Sequence, residues 1–162
     1  MVYEQHQDIS EVAINFYKGL MRTAKAVEPI PDNLSVPTLS QLQCALMIRP
    51  FSSADVFNTI NSMAKHRCPG PDGLTVEFFT CSWDILGHDV SKAVLSFFEL
   101  NTLPRIVNSA ALTLIPKSAN ASSISHYRPI SCCNVLYKVI TKLLTNRMKH
   151  VMPDLVLSLI HI

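Results

Sequence analysis

Apolar side chains along the first part of the chain recur at helical rather than strand intervals. Val12, Ala13, Phe16, Tyr17, Leu20, Met21 and Ala24 fall three and four residues apart, which predicts an amphipathic helix. Ser10 is placed to cap it, and the Pro29-Ile30-Pro31 linker closes it. A short second helix is predicted from about Ser40 to Ile48, stopped by Pro50. Ser52 or Ser53 then caps a third, with Val56, Ile60 and Met63 along one face.

The next six residues, Cys68-Pro69-Gly70-Pro71-Asp72-Gly73, hold two prolines and two glycines and predict an ordered turn. Thr75 starts a helix through Phe78, Phe79, Ser82 and Trp83, which Gly87 separates from another carrying Val90, Ala93, Val94, Phe97 and Phe98. Residues 109–115 read as a strand ended by Pro116, and Lys117 to Ser125 as a polar loop. The extended piece Tyr127-Arg128-Pro129-Ile130 leads to Asn134, a good cap for a last helix ending near Met152. The expected fold class is α+β: mostly helical, with a small β-sheet around 109–131.

The last helix is two-faced. At 100° per residue, Lys138, Lys142, Thr145 and Lys149 form a polar stripe, opposite Leu136, Ile140, Leu143 and Val151. Arg147 falls inside the apolar stripe. An isolated buried charge is very costly, so its guanidinium requires a remote partner, a ligand or solvent.

Charge sharpens this picture. Residues 1–99 carry seven basic and eleven acidic side chains, whereas residues 100–162 carry seven basic and one acidic. From Leu100 to Pro153 there is no carboxylate at all, a pattern suited to a polyanion such as nucleic acid and unsuited to holding a catalytic metal. Hydrophobic residues at 48% and charged residues at 16% place the chain among globular proteins. No apolar run approaches the roughly 20 residues that span a bilayer, so no membrane partner is expected. Five cysteines without a CxxC pair or a signal-like start imply reduced thiols in an intracellular protein, cytoplasmic or nuclear.

Single residues add candidate chemistry. Lys65 and Arg67 flank the proline-glycine turn, whose amides at Gly70 and Gly73 are candidates to approach phosphate; an ordinary tight loop is the alternative. Asp72 suits capping of backbone amides better than metal binding. Lys138, Lys142 and Lys149 either track a phosphate backbone or form a solvated helix face. Trp83, Phe97 and Phe98 lie on apolar helix faces and read as core rather than as stacking platforms. The scattered histidines form neither a metal set nor a catalytic triad.

Several motifs in order carry a resemblance. These are Pro69-Gly70-Pro71-Asp72-Gly73 with Glu77-Phe78-Phe79; Leu114-Ile115-Pro116-Lys117; and Tyr127-Arg128-Pro129-Ile130-Ser131 with Tyr137-Lys138 and Asn146-Arg147. Together they resemble the N-terminal, fingers part of the reverse transcriptase of plant LINE-type (non-LTR) retrotransposons. The resemblance covers residues 51–155 and, more loosely, 10–50. It implies a helical connector over 1–50, a partial reverse transcriptase domain over 51–155 and a divergent apolar tail over 156–162.

The resemblance also implies an RNA-directed DNA polymerase as the parent activity, with an RNA or DNA template-primer and a deoxynucleoside triphosphate as partners. Lys117 and Arg128 match positions that contact the nucleotide triphosphate, a task suited to a point charge and a guanidinium fork. Paired Mg²⁺ ions in the intact enzyme are held by palm aspartates that have no match here, so no catalytic or metal residue is assigned and the chain is expected to be inactive alone. Arg67-Cys68 departs from the family's Lys-Ala or Lys-Ser, and the tail Val156-Leu157-Ser158-Leu159-Ile160-His161-Ile162 replaces a polar continuation, the mark expected of a truncated copy. That tail is also an association hazard. Two other readings stay open: a non-catalytic nucleic-acid-binding protein, and a helical module that docks a partner or a second copy through Arg147 and the apolar tail.

Overall fold

The computed structural model describes residues 5–22 and 38–155. Among these residues the elements run in the order α1 (His6–Arg22), α2 (Gln41–Ile48), α3 (Ser53–Asn61), α4 (Val76–Cys81), α5 (Trp83–Leu100), β1 (Ala110–Pro116), β2 (Tyr127–Cys133) and α6 (Val135–Met148), with a 3₁₀ turn at Ile124–His126 between the strands. The α+β class is therefore as the sequence implies. The chain divides into two compact units, one of residues 1–34 with 113–130, the other of 35–112 with 131–162.

In the larger unit, helices α3 to α6 each contribute valine, isoleucine, leucine or phenylalanine to one core. Val56 and Ile60 come from α3, Val76 and Phe79 from α4, Val90 and Val94 from α5, and Val139, Ile140 and Leu143 from α6. Trp83, Phe97 and Phe98 pack against this cluster, so the aromatics are core members. Both α2 and α3 open on a complete capping box, Ser40 with Gln43 and Ser52 with Asp55, each serine oxygen accepting the third amide while the partner side chain reaches back.

Several boundaries differ from expectation, each for a physical reason. Helix α1 begins at His6, which places Ser10 inside it rather than at its cap. Its predicted end and the Pro29-Ile30-Pro31 linker lie outside the described residues. The break between α4 and α5 falls at Ser82, not at Gly87. Gly87 is buried within α5, where a Cβ would come within 2.7 Å of the Trp83 indole, so the glycine makes room for a ring instead of ending a helix. Helix α6 ends at Met148, before Met152. Asn134 stands at its N-cap position without a side-chain capping bond, because its amide is engaged elsewhere.

The smaller unit contains α1, which packs on the 3₁₀ turn, and the outer part of the hairpin. The two strands form an antiparallel two-stranded sheet. Lys117 N–H donates to the His126 carbonyl at 2.8 Å. That register sets Ala110 opposite Cys133 and Pro116 opposite Tyr127, matching the ends of both strands. It also puts Pro116 and Pro129 at positions whose amides would point away from the partner strand, so neither proline removes a ladder bond.

Candidate nucleic-acid interface

The proline-glycine turn is held by its own backbone and by α6. Gly73 N–H donates to Gly70 O at 3.1 Å, and Gly73 takes φ of 72°, a left-handed conformation that suits glycine. The Asp72 carboxylate accepts from Leu74 N–H at 3.0 Å. Asp72 N–H in turn donates to Asn134 Oδ1 at 3.3 Å, while Asn134 Nδ2 donates to Ile106 O at 2.8 Å. Asn134 is 3% exposed and so ties the turn and the chain after α5 to the start of α6. Gly70 passes so close to Asn134 that no side chain fits there. The amides of Asp72, Gly73 and Leu74 are thus each engaged within the protein.

Just before the turn, His66 takes a positive φ of 57°. Its amide donates to the Glu77 carboxylate, and that bond is the largest influence holding the Glu77 carboxyl below its ordinary range. The carboxylate is thereby turned to the chain that carries Arg67, fixing this segment at the start of α4.

Between the end of α3, the turn and α6 runs an open groove of about 600 Å³. Arg67, Lys138 and Lys142 line it, together with Thr141 and Thr145, over an apolar floor that includes Met63 and Val135. No carboxylate lines it. Lys138 Nζ donates to Cys68 O at 3.1 Å, which holds that ammonium at the groove wall. Lys142 lies one helical turn further, about 6 Å along the axis. Thr141 was not singled out in the sequence, although its place three residues after Lys138 puts it on the same stripe. Lys65 and Lys149 are exposed and lie outside the groove lining.

Lys117 and Arg128 belong to the smaller unit and are both exposed. Lys117 Nζ donates to Ser125 O at 2.7 Å. The strand register sets Arg128 opposite Ile115, and strand alternation puts Ile115 and Lys117 on one face, so the two cations are diagonal neighbours on that face.

Arg147 resolves the conflict seen in its stripe through residues far off in sequence. Its Nη1 donates to Met47 O at 3.0 Å, and its guanidinium carbon lies 3.4 Å from the Phe51 ring centroid. Nη2 is buried without a partner. Burial lowers the pKa of this guanidinium, and the Arg49 charge adds to that, with Asp55 opposing.

Among the described residues no group of three or more His, Cys, Asp or Glu side chains could hold a metal ion. All five cysteines are free thiols. No described helix is long and apolar enough to cross a membrane.

No family model matches the chain. Over 157 residues, 94% of its length, it is 29% identical to the transposon TX1 uncharacterized 149 kDa protein of Xenopus laevis, of which it spans 12%. This similarity supports a retrotransposon-related origin.

Proposed function

We propose that this chain is a portion of the reverse transcriptase of a LINE-type (non-LTR) retrotransposon, the portion that holds nucleic acid and nucleotide rather than metal. The observation that carries the reading is the groove in which Arg67, Lys138 and Lys142 converge with no carboxylate in its wall. Three cations on an apolar floor suit a phosphate backbone with its sugar edges turned inward. Similarity to a transposon protein and the ordered motifs favour a template or primer strand as that polyanion. The plant-type assignment rests on the wording of those motifs. Lys117 and Arg128, neighbours on one strand face, are the proposed contacts to a nucleotide triphosphate.

The two-metal chemistry of a polymerase requires paired carboxylates. The 162 residues contain no Asp-Asp pair, so the chain is expected to bind without extending a primer.

Fluorescence anisotropy with a labelled single-stranded RNA, repeated across salt concentrations, tests this reading. Three phosphate contacts give a log–log salt slope of about −2. Replacing Arg67, Lys138 and Lys142 together by alanine is expected to weaken binding at least about tenfold and flatten that slope. The same change at Lys65 and Lys149 is expected to have a smaller effect. Absence of binding at low salt, or an unchanged triple variant, would sink the proposal. Nucleotide incorporation by the purified chain with Mg²⁺ would show that the chemistry had been wrongly placed outside it.

A further inference from the structure

A second cavity of about 510 Å³ lies in the larger unit, walled by the C-terminal end of α2, by α3 and by the end of α6. Its chemistry differs from that of the groove. Arg147 presents a guanidinium that is stacked on Phe51, bonded through Nη1 and unpartnered at Nη2. Arg49 and the exposed His150 complete the wall. Asp55 is the one carboxylate there, and it is already engaged by Ser52 N–H, the Ser52 hydroxyl and Arg49. It forms no ion pair with Arg147. The cavity therefore holds an excess of positive charge and a donor with nothing to donate to. Leaving a charged donor in that state is costly.

Helix α2 runs into the same wall. Its sequence, Gln-Leu-Gln-Cys-Ala-Leu-Met-Ile, is largely apolar, yet none of its residues is buried. Leu42 is 80% exposed and Leu46 is 41% exposed. Helical spacing puts Leu42, Leu46 and Arg49 on one face, and Leu46 and Arg49 themselves line the cavity. An exposed leucine face thus continues into a cationic cavity.

We propose that this continuous surface docks a protein segment that is both leucine-rich and acidic. One carboxylate of that segment enters the cavity to be bound by Arg147, and its leucines cover Leu42 and Leu46. Charge complementarity selects an acidic partner, and the exposed leucines select a peptide over a nucleic acid, whose phosphates gain nothing from them. Arg49 and His150 have exposed side chains that can turn aside as the carboxylate enters. The proposal is independent of the groove and of the polymerase reading.

Two synthetic amphipathic peptides test it, one with leucines four residues apart and a single Glu between them, the other with Gln in place of that Glu. The Glu peptide is expected to bind the full chain at least tenfold more tightly in calorimetry. Arg147→Met is expected to erase that preference while leaving the melting temperature unchanged or raised, because it removes a buried donor, Nη2, that has no partner. Leu42→Ser, at an exposed position, is expected to weaken both peptides. Equal binding of the two peptides overturns the proposal, as does a preference that survives Arg147→Met. Displacement of the Glu peptide by millimolar acetate would show a free-oxyanion pocket instead, and displacement by single-stranded RNA would assign the surface to nucleic acid; either result also overturns it.

Discussion

A methyl group on Gly70 would occupy space already taken by the backbone and amide of Asn134. Backbone cannot retreat as a flexible side chain can, so Gly70→Ala is expected to destabilise the larger unit by about 2 kcal/mol, read as a lower urea midpoint. The presence of a turn at this place was legible from two prolines and two glycines in a short span. The different duties of the two glycines were not: Gly73 serves a dihedral angle, whereas Gly70 serves a contact with a residue 64 positions away. Asn134 shows the same limit. Its type and place before a helix fit a cap, and the chain does begin α6 there, but its hydrogen bonds run to Asp72 and Ile106, which local sequence cannot announce. Arg147 was legible as a problem, since its stripe is apolar, and its solution at Met47 and Phe51 needed the fold.

Helix starts that use side-chain caps are legible in the sequence, because the capping residue and the amide it bonds lie within four residues. Helices α2 and α4 begin where Ser40 and Thr75 foretold, and of the two serines offered for α3 it is Ser52, not Ser53, that caps it. Helix α5 begins without such a bond, directly after α4, and the break was misplaced to the glycine. In α3 the capping box also carries a pH signature. Burial raises the Asp55 carboxyl, but the bonds from Ser52 and then Arg49 outweigh it, and the net shift is downward. A folded-state pKa below the unfolded one gives stability that is present above the ordinary carboxyl value, about 4, and lost as pH falls through the folded value. Asp55→Ala is expected to cost about 1 kcal/mol at pH 7. The gap between variant and parent should close as denaturation is repeated at pH values below about 4. The exposed Arg49 end of the bond adds little to this figure.

The uneven charge along the chain foretold a basic surface but not its address. Arg67 comes from the acid-rich first part of the chain and Lys138 from the acid-free stretch, and only packing brings them into one groove, while Lys65 and Lys149, one from each part, stay outside it. That groove belongs wholly to the larger unit, whose two segments meet at the hairpin. The strand register sets Ala111 opposite Cys132 in a hydrogen-bonded pair, so a two-residue turn can join them. A chain of residues 35–111 and 132–162 joined through Asn-Gly is therefore expected to melt cooperatively and to keep the salt-dependent RNA binding of the parent. Loss of a cooperative transition in circular dichroism would show that the smaller unit is needed for the larger one to fold.

The two prolines of the hairpin also decide how it can grow. In the observed register the outward positions of β2 are Tyr127, Pro129, Ser131 and Cys133; the Tyr127 N–H is taken by Ile124 O, and Pro129 has none. On β1 the gap falls at Pro116, the last residue, leaving the outward amides of Leu112 and Leu114 intact. An added strand can therefore zip along β1 but not across the centre of β2. Two molecules meeting edge to edge through β1 would use up both open sides and stop at four strands. Edge-to-edge association of this sheet is self-terminating, a closed pair rather than a seed for a fibre.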